Sequence, residues 1–69
     1  MKNKFAERLR ESRIQNKIGQ VELAERCNVK QSCVSKWERG ITLPDAEMIV
    51  TICEVLNESA DYLLGLKDY

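Results

Sequence analysis

Four polar side chains on one short stretch of the chain have the chemistry needed to contact nucleotide bases. Residues 29–40 read VKQSCVSKWERG, and Gln31, Ser32, Ser35 and Lys36 lie within this stretch at helical spacing. A glutamine amide can make two hydrogen bonds to adenine, a lysine can donate to guanine, and a serine hydroxyl suits either base. On an isolated surface helix the same side chains would face water. The surrounding elements therefore have to decide between the two interpretations.

The charge of the chain is unevenly distributed along the sequence. Residues 1–40 hold ten Lys or Arg and five Glu, a net of +5, whereas residues 41–69 hold one Lys and six Asp or Glu, a net of −5. Such asymmetry suggests that one part of the molecule faces a polyanion. Mutual attraction between the two oppositely charged halves inside the fold explains the charge pattern equally well.

Length and motif content narrow the classes of function. The chain has 69 residues, so residues 1–69 are expected to form one domain with one small core. No signal peptide, membrane span or lipidation motif is visible, and we expect a cytoplasmic protein without membrane contact. An enzyme is poorly supported, since the sequence has no histidine and no paired-carboxylate motif.

The cysteines do not predict a metal site or a disulfide framework. There are three of them, Cys27, Cys33 and Cys53, in a chain expected to be cytoplasmic. Cys27 and Cys53 are expected to be packing residues, and the sequence leaves open whether Cys33 is redox-sensitive. No cofactor, metal or small-molecule ligand is expected.

The first three predicted helices follow from apolar spacing and end signals. Helix 1 should cover about residues 4–16, with Asn3 as its N-cap and an inner stripe of Phe5, Leu9 and Ile14. Helix 2 should begin at Gln20 and end at about Cys27, because Asn28 tolerates the left-handed conformation that ends helices. Helix 3 should cover residues 31–39 and stop at Gly40. The inward-facing residues of helices 2 and 3 would be Leu23, Ala24, Cys27, Val34 and Trp37.

Two further helices are expected in the acidic half. Pro44 suits the first turn of helix 4, where its missing N–H is not needed, and Asp45 and Glu47 complement the helix dipole there. Ser59 should cap a short helix 5 that Gly65 stops. The apolar residues of the two helices are Ile49, Ile52, Cys53, Leu56, Tyr62, Leu63 and Leu64. The prediction is an all-α bundle of five short helices.

Helix 2, the turn and helix 3 together span about 20 residues, the size of a helix-turn-helix motif, in which the second helix enters the DNA major groove. Many small bundles contain such a pair, so individual residues have to carry the identification. The string GQVELAERCNVKQSCVSKWERGITLP, followed by a helix and then SADYLLG, resembles the Cro and phage-repressor type of helix-turn-helix family, the xenobiotic-response-element-type transcriptional regulators. The resemblance covers residues 5–65. Its strongest elements are Gln20, Leu23, Ala24, Val34, Ser35, residues 37–40, Pro44 and residues 63–65.

The resemblance implies a five-helix lambda-repressor-like DNA-binding domain, with the helix-turn-helix at about residues 20–39. It also implies roles for individual positions. The candidate base contacts are Gln31, Ser32, Ser35 and Lys36. The candidate phosphate contacts are Arg13, Gln20, Lys30 and Arg39. Arg13 and Glu38 occupy the positions of a partly buried structural ion pair that turns the arginine toward the DNA backbone.

Three positions depart from the family pattern. Gly19 and Lys30 stand where Ser or Thr usually caps helices 2 and 3, and Glu58 stands where an aliphatic residue is usual. Loss of a cap costs about 1 kcal/mol at Lys30 and only a few tenths at Gly19. Lys30 also places a cation at the positive end of a helix dipole. A nearby phosphate would reverse these effects. We therefore expect Lys30 to lower the stability of the free chain and to raise its affinity for DNA.

The sequence therefore predicts a sequence-specific DNA-binding transcriptional regulator that acts as a repressor. It is expected to bind an inverted-repeat operator in double-stranded DNA as a homodimer, through helix 3 in the major groove. By elimination, the dimer surface is placed at the C-terminal helix and tail, with Tyr62, Leu66 and Tyr69 as candidates. The alternative is a protein-interaction module or antitoxin-like partner-binding protein. The sequence does not distinguish a phage repressor, an antitoxin, a restriction-control protein and a host regulator, and activation in place of repression stays open.

Overall fold

Five helices connected by short turns make up the part of the chain that the structure describes. The computed structural model describes residues 2–68, with side chains from residue 4 onward. The helices are α1 Lys2–Gln15, α2 Gln20–Cys27, α3 Gln31–Glu38, α4 Ala46–Leu56 and α5 Ala60–Leu63. No strand occurs between residues 2 and 68, so the predicted all-α, five-helix architecture is confirmed. In the same range, no helix has the length and apolar character needed to cross a membrane.

One apolar cluster is shared by all five helices. α1 packs against α3 and α5, α2 packs against α3 and α4, and α4 also packs against α5. The inward-facing residues predicted for α2 and α3 are all buried. Of those predicted for the other helices, half are buried, and Ile49, Cys53, Tyr62 and Leu64 are half-buried. The buried cluster consists of Phe5, Leu9, Leu23, Ala24, Cys27, Val34, Trp37, Ile52, Leu56 and Leu63. Because α3 is covered from the inside by α1 and α2, its opposite face is left at the surface.

The turn between α2 and α3 is closed by the predicted left-handed residue. Asn28 has φ 58°, and its backbone N–H and that of Val29 return to carbonyls in the last turn of α2. Val29 donates to the Ala24 carbonyl at 2.9 Å. This is a helix C-cap in which a left-handed residue satisfies the carbonyls that the ending helix leaves free. The turn is therefore short enough to set α3 directly across α2.

Two predictions for α1 are wrong. Lys2 is already helical, so Asn3 lies inside α1 and does not cap it. Ile14 is half exposed, whereas Ser12 is buried and occupies the inner face. The reason is geometric: Ile14 follows Leu9 by five positions, which places it about 140° around the helix. Ser12 follows Leu9 by three positions and stays on the buried side.

The start of α4 also differs from the prediction. Pro44 is buried but precedes the helix, and Asp45 is the N-cap, with its carboxylate accepting from the Met48 backbone N–H at 2.8 Å. A carboxylate at this position satisfies an N–H group that the first helical turn leaves free. Glu47 lies in the first turn, as predicted. Helix α3 ends at Glu38, one residue earlier than predicted, with Arg39 as its C-cap.

The corner between α4 and α5 accommodates the charged residue that departs from the family pattern. Asn57 adopts φ 53° at the end of α4, and the half-buried Glu58 accepts a hydrogen bond from the Ser59 backbone N–H at 3.3 Å. The Ser59 hydroxyl in turn accepts from the Tyr62 N–H at 3.1 Å, which confirms Ser59 as the cap of α5. Gly65 has φ 83° and turns the chain after α5. The acidic side chain therefore serves the local hydrogen bonding of the corner.

Candidate nucleic-acid interface

The outward face of α3 presents most of the polar side chains that the sequence singled out. Gln31, Ser32 and Lys36 are exposed, and Ser35 is half-buried. Val34 and Trp37, on the opposite side of the helix, belong to the buried cluster. The polar residues therefore share one accessible surface, and Ser35 is the least accessible of them.

A hydrogen bond between two glutamines joins the start of α3 to the start of α2. Gln31 donates through Nε2 to Oε1 of Gln20 at 2.6 Å. Gln20 then donates through its own Nε2 to Oε1 of Glu38 at 3.0 Å. One glutamine of α2 thus connects the first and last residues of α3. Sequence reasoning placed Gln20 next to a phosphate and missed both bonds. The only signal for them was the occurrence of an amide as the first residue of each helix.

Arg13 and Glu38 form the ion pair that the family resemblance implies. The guanidinium donates through Nε to Oε2 at 2.6 Å and through Nη2 to Oε1 at 3.1 Å. The Arg13 and Glu38 side chains are only 12% and 3% exposed. Arg13 also donates through Nη1 to the Ile18 carbonyl at 2.9 Å. The pair therefore ties the end of α3 to α1 and to the chain that enters α2.

The environment of Arg13 keeps its guanidinium charged. The hydrogen bond to Glu38 raises the pKa of Arg13, burial acts in the opposite direction, and attraction to the Glu38 charge raises it further. Bidentate arginine–carboxylate pairs combine charge with fixed geometry. Since desolvation offsets much of the attraction, the main consequence of the pair is orientation. The bonds that run from Gln31 through Gln20 and Glu38 to Arg13 hold α3 at both ends.

The N-termini of α2 and α3 lack side-chain caps. Gly19 and Lys30 occupy the two N-cap positions in extended conformation, and neither provides a side-chain hydrogen bond. Lys30 is exposed beside the first turn of α3. Backbone N–H groups in the first turn of a helix are left without helical partners and suit an anionic oxygen. Both helix starts therefore have the chemistry of phosphate contacts, and a cation stands next to one of them.

Arg39 is exposed at the other end of α3. Its Nε donates to the Ser35 carbonyl at 3.3 Å, and its backbone N–H reaches the same carbonyl at 3.0 Å. The guanidinium thus lies along the last turn of α3. Lys30 and Arg39 bracket the polar face with positive charge.

The three cysteines are free thiols. Cys27 is buried and belongs to the core, and Cys33 and Cys53 are half-buried against it. Burial raises the pKa of the Cys27 thiol, and burial together with the Glu58 charge raises the pKa of the Cys53 thiol. Both therefore stay protonated at neutral pH, the less reactive form. The described residues contain no group of side chains arranged to hold a metal ion.

The candidate dimer residues do not share one environment. Leu66 is 74% exposed, whereas Tyr62 is half-buried beneath the guanidinium of Arg8. Tyr69 lies outside the described residues. Leu66 is therefore the one of these candidates whose apolar surface is clearly accessible.

Comparison with known proteins agrees with this arrangement. A family model described as helix-turn-helix matches residues 9–63. The chain is 36% identical over 61 residues to the HTH-type transcriptional regulator ImmR of Bacillus subtilis, covering 88% of this chain and 48% of that protein. It is 38% identical over 60 residues to Repressor protein C2 of Salmonella phage P22, covering 87% of this chain and 28% of that protein. The chain thus spans about half the length of ImmR and less than a third of C2.

Solved structures show the same fold. A crystal structure of the P22 c2 repressor in complex with synthetic operator 9T matches with a TM-score of 0.82 at 36% identity, covering 86% of this chain and 89% of that one. The solution structure of the P22 c2 DNA-binding domain also matches with a TM-score of 0.82, at 37% identity, covering 87% of this chain and 79% of that one. Since the family match spans most of the chain, and the fold and the relatives agree with it, the chain belongs to the Cro and phage-repressor type of the helix-turn-helix family.

Proposed function

We propose that the chain binds a specific double-stranded DNA operator and represses transcription, with the outward face of α3 in the major groove. The observation that carries the proposal is an exposed polar face held at both ends. Gln31 is bonded to Gln20, and Gln20 and Arg13 are both bonded to Glu38. A helix fixed in this way presents its side chains without having to be ordered on binding. The P22 relative, solved with a synthetic operator, supports the proposal.

The base contacts follow from the chemistry of the exposed side chains. Gln31 uses one of its two amide hydrogens on Gln20, so the second hydrogen and the amide oxygen can still pair with an adenine. Lys36 is exposed and can donate to a guanine. Ser32 and Ser35 accept or donate according to the base that they meet. Each half-site should therefore contain an A·T pair read by Gln31.

The candidate phosphate-contact residues lie on both sides of the outward face of α3. Each of them carries a positive charge or lies at a helix start. Gln20 lies at the start of α2, Lys30 precedes α3 and Arg39 follows it. Three N–H groups of Arg13 are bonded to Glu38 and to the Ile18 carbonyl. Its remaining N–H groups and its positive charge can therefore act on the phosphates of the DNA backbone. Arg13, Lys30 and Arg39 are the charged members of the set. Two copies would release about six counterions, a slope of about −5 in log affinity against log salt.

A homodimer on an inverted repeat is the expected assembly. Two α3 helices would enter successive major grooves with half-site centres about 34 Å apart. The dimer contact is placed at the tail after α5, with Leu66 as its most exposed apolar side chain. Such a molecule would occupy DNA and exclude polymerase.

A protein-interaction module is the second candidate, and one surface favours it. Val50 is exposed on α4 between the exposed carboxylates of Glu47 and Glu54. A salt titration with a random duplex separates the two candidates. Affinity that does not respond to salt would favour the interaction module, because DNA binding by this face must release counterions.

Selection of bound duplexes from a random library tests the proposal. The wild-type chain should select an inverted repeat, and Gln31→Ala and Lys36→Ala should each relax the preference at one position of each half-site. Arg26→Ala serves as a matched control, since it removes a positive charge from an exposed position on α2. Selection of no sequence by the wild type, or of unchanged sequences by the two α3 variants, would reject the assignment.

A further inference from the structure

The segment after α5 is folded into a fixed turn. Gly65, at φ 83°, donates its N–H to the Tyr62 carbonyl at 3.1 Å. Leu66 and Lys67 then direct their N–H groups to the Asp61 carbonyl at 2.8 Å and 3.3 Å. We call residues 64–68 the tail turn. Its backbone is tied to α5, which sets the point at which each side chain leaves the turn.

One arginine of α1 binds both α5 and the far end of the tail turn. Arg8 donates through Nη1 to the Tyr62 carbonyl at 2.6 Å and to the Lys67 carbonyl. Its Nη2 lies 3.7 Å from an Asp68 carboxylate oxygen, and its guanidinium carbon lies 4.4 Å from the centre of the Tyr62 ring. The Arg8 side chain is only 14% exposed. A single guanidinium thus spans the residues on either side of Leu66.

The side chain of Lys4 on α1 lies close to the backbone of the tail turn. A Cβ atom at Gly65 would lie 2.6 Å from Cδ of Lys4, which is too close for two carbon atoms. The stem of Lys4 therefore covers the backbone of the turn where a side chain would otherwise stand.

In this arrangement the apolar side chain of Leu66 is exposed to solvent. Leu66 is 74% exposed, more than any other large apolar side chain among the described residues. Keeping it there leaves apolar surface hydrated and does nothing for the packing of the single chain. Contact with a second molecule would bury this apolar surface. Because one leucine and its surroundings are small beside the roughly 1,200 Å² of a stable interface, that contact must be weak between free chains.

Binding to the same DNA raises the local concentration of the two copies and so compensates for the small contact area around Leu66. Two copies on adjacent half-sites have a mutual effective concentration of about millimolar, at which a weak contact becomes populated. We propose that Arg8 is a positioning residue for dimerisation: it clamps the tail turn so that Leu66 meets the tail turn of a second copy on the operator. The proposal rests on the proposed function. In this arrangement the Tyr62 ring supports Arg8 and does not itself touch the partner.

The test compares the selected inverted-repeat duplex with the same duplex carrying one scrambled half-site. Arg8→Met keeps the stem of the side chain and removes every donor, and Arg26→Met makes the same change at an exposed position. Leu66→Ser removes the contact itself. We expect Arg8→Met and Leu66→Ser each to lower the ratio of full-site to half-site affinity about tenfold, and Arg26→Met to leave it unchanged. The half-site affinity of all three should stay within about twofold of wild type.

Combining Arg8→Met with Leu66→Ser should produce little further loss, because both act on one contact. A drop in half-site and full-site affinity by the same factor would make Arg8 a purely structural residue and overturn the proposal. A Leu66→Ser variant with unaltered full-site binding would also overturn the proposal. This second variant keeps the proposal testable if Arg8→Met does not fold. A wild-type chain that binds half-sites without cooperativity on the full site would reject the second copy as partner. That outcome is distinct from failure to bind any duplex, which would reject the proposed function.

Discussion

Replacing Glu38 by glutamine removes the charge at the centre of the network that holds α3. The Glu38 carboxylate is 3% exposed and accepts from Arg13 through two nitrogens and from Gln20 through one. Breaking a buried ion pair by removing one partner costs about 3–5 kcal/mol, because the other charge is left without compensation. Arg13 is 12% exposed and keeps its bond to the Ile18 carbonyl, so we expect about 3 kcal/mol.

That loss is large for a domain of this size. A chain of 69 residues is stable by about 3–10 kcal/mol, and each kcal/mol moves the midpoint of thermal unfolding by about 4–8 °C. Glu38→Gln should therefore lower the midpoint by roughly 10–25 °C. Urea and thermal unfolding followed by circular dichroism measure both quantities.

Two further variants show whether burial is the cause. Glu22→Gln breaks the exposed pair with Arg26 and should cost less than about 1 kcal/mol. Replacing both partners, as Arg13→Met with Glu38→Leu, should recover most of the stability, since apolar residues of similar volume need no compensation. If Glu38→Gln is no more destabilised than Glu22→Gln, the ion pair does not hold α3 and the reasoning is wrong.

Three other substitutions probe single groups of the fold and the site. Lys30→Ser should raise stability by about 1 kcal/mol by restoring a cap and should weaken DNA binding measured by fluorescence anisotropy; unchanged affinity would contradict the role given to Lys30. Asp45→Ala should cost about 1 kcal/mol in urea unfolding, because the Met48 N–H loses its acceptor, and a neutral result would remove Asp45 as the cap of α4. The hydroxyl of Ser12 is buried without a hydrogen-bond partner, so Ser12→Ala should be neutral or stabilising; a loss above about 1 kcal/mol would reveal an interaction that the structure does not contain.

The helix ends were predictable where one residue decides them locally. Asn28 and Gly65 adopt positive φ, and Ser59 caps α5 through its hydroxyl. The start of α4 was not, because Pro44 and Asp45 both favour a helix start and the sequence does not rank them. In the structure Pro44 is buried ahead of the helix, and Asp45 is the cap.

Contacts between residues far apart in the sequence could be predicted only in part. The Arg13–Glu38 pair came from the family resemblance, because no local pattern links residues 25 positions apart. The bonds of Gln20 to Gln31 and Glu38 were missed, since they depend on how α2 crosses α3. Contacts of Arg8 to carbonyls 54 and 59 positions away leave no trace in local spacing at all.

The outward face of α3 can be examined directly by nuclear magnetic resonance. Backbone amide shifts of the isotope-labelled chain would be recorded while the selected duplex is titrated in at low salt. We predict the largest shifts across Gln31–Glu38 and at the start of α2, near Gln20, with little change along Ala46–Leu56. Shifts confined to Ala46–Leu56, with Gln31–Glu38 unaffected, would show that nucleic acid is not read by α3.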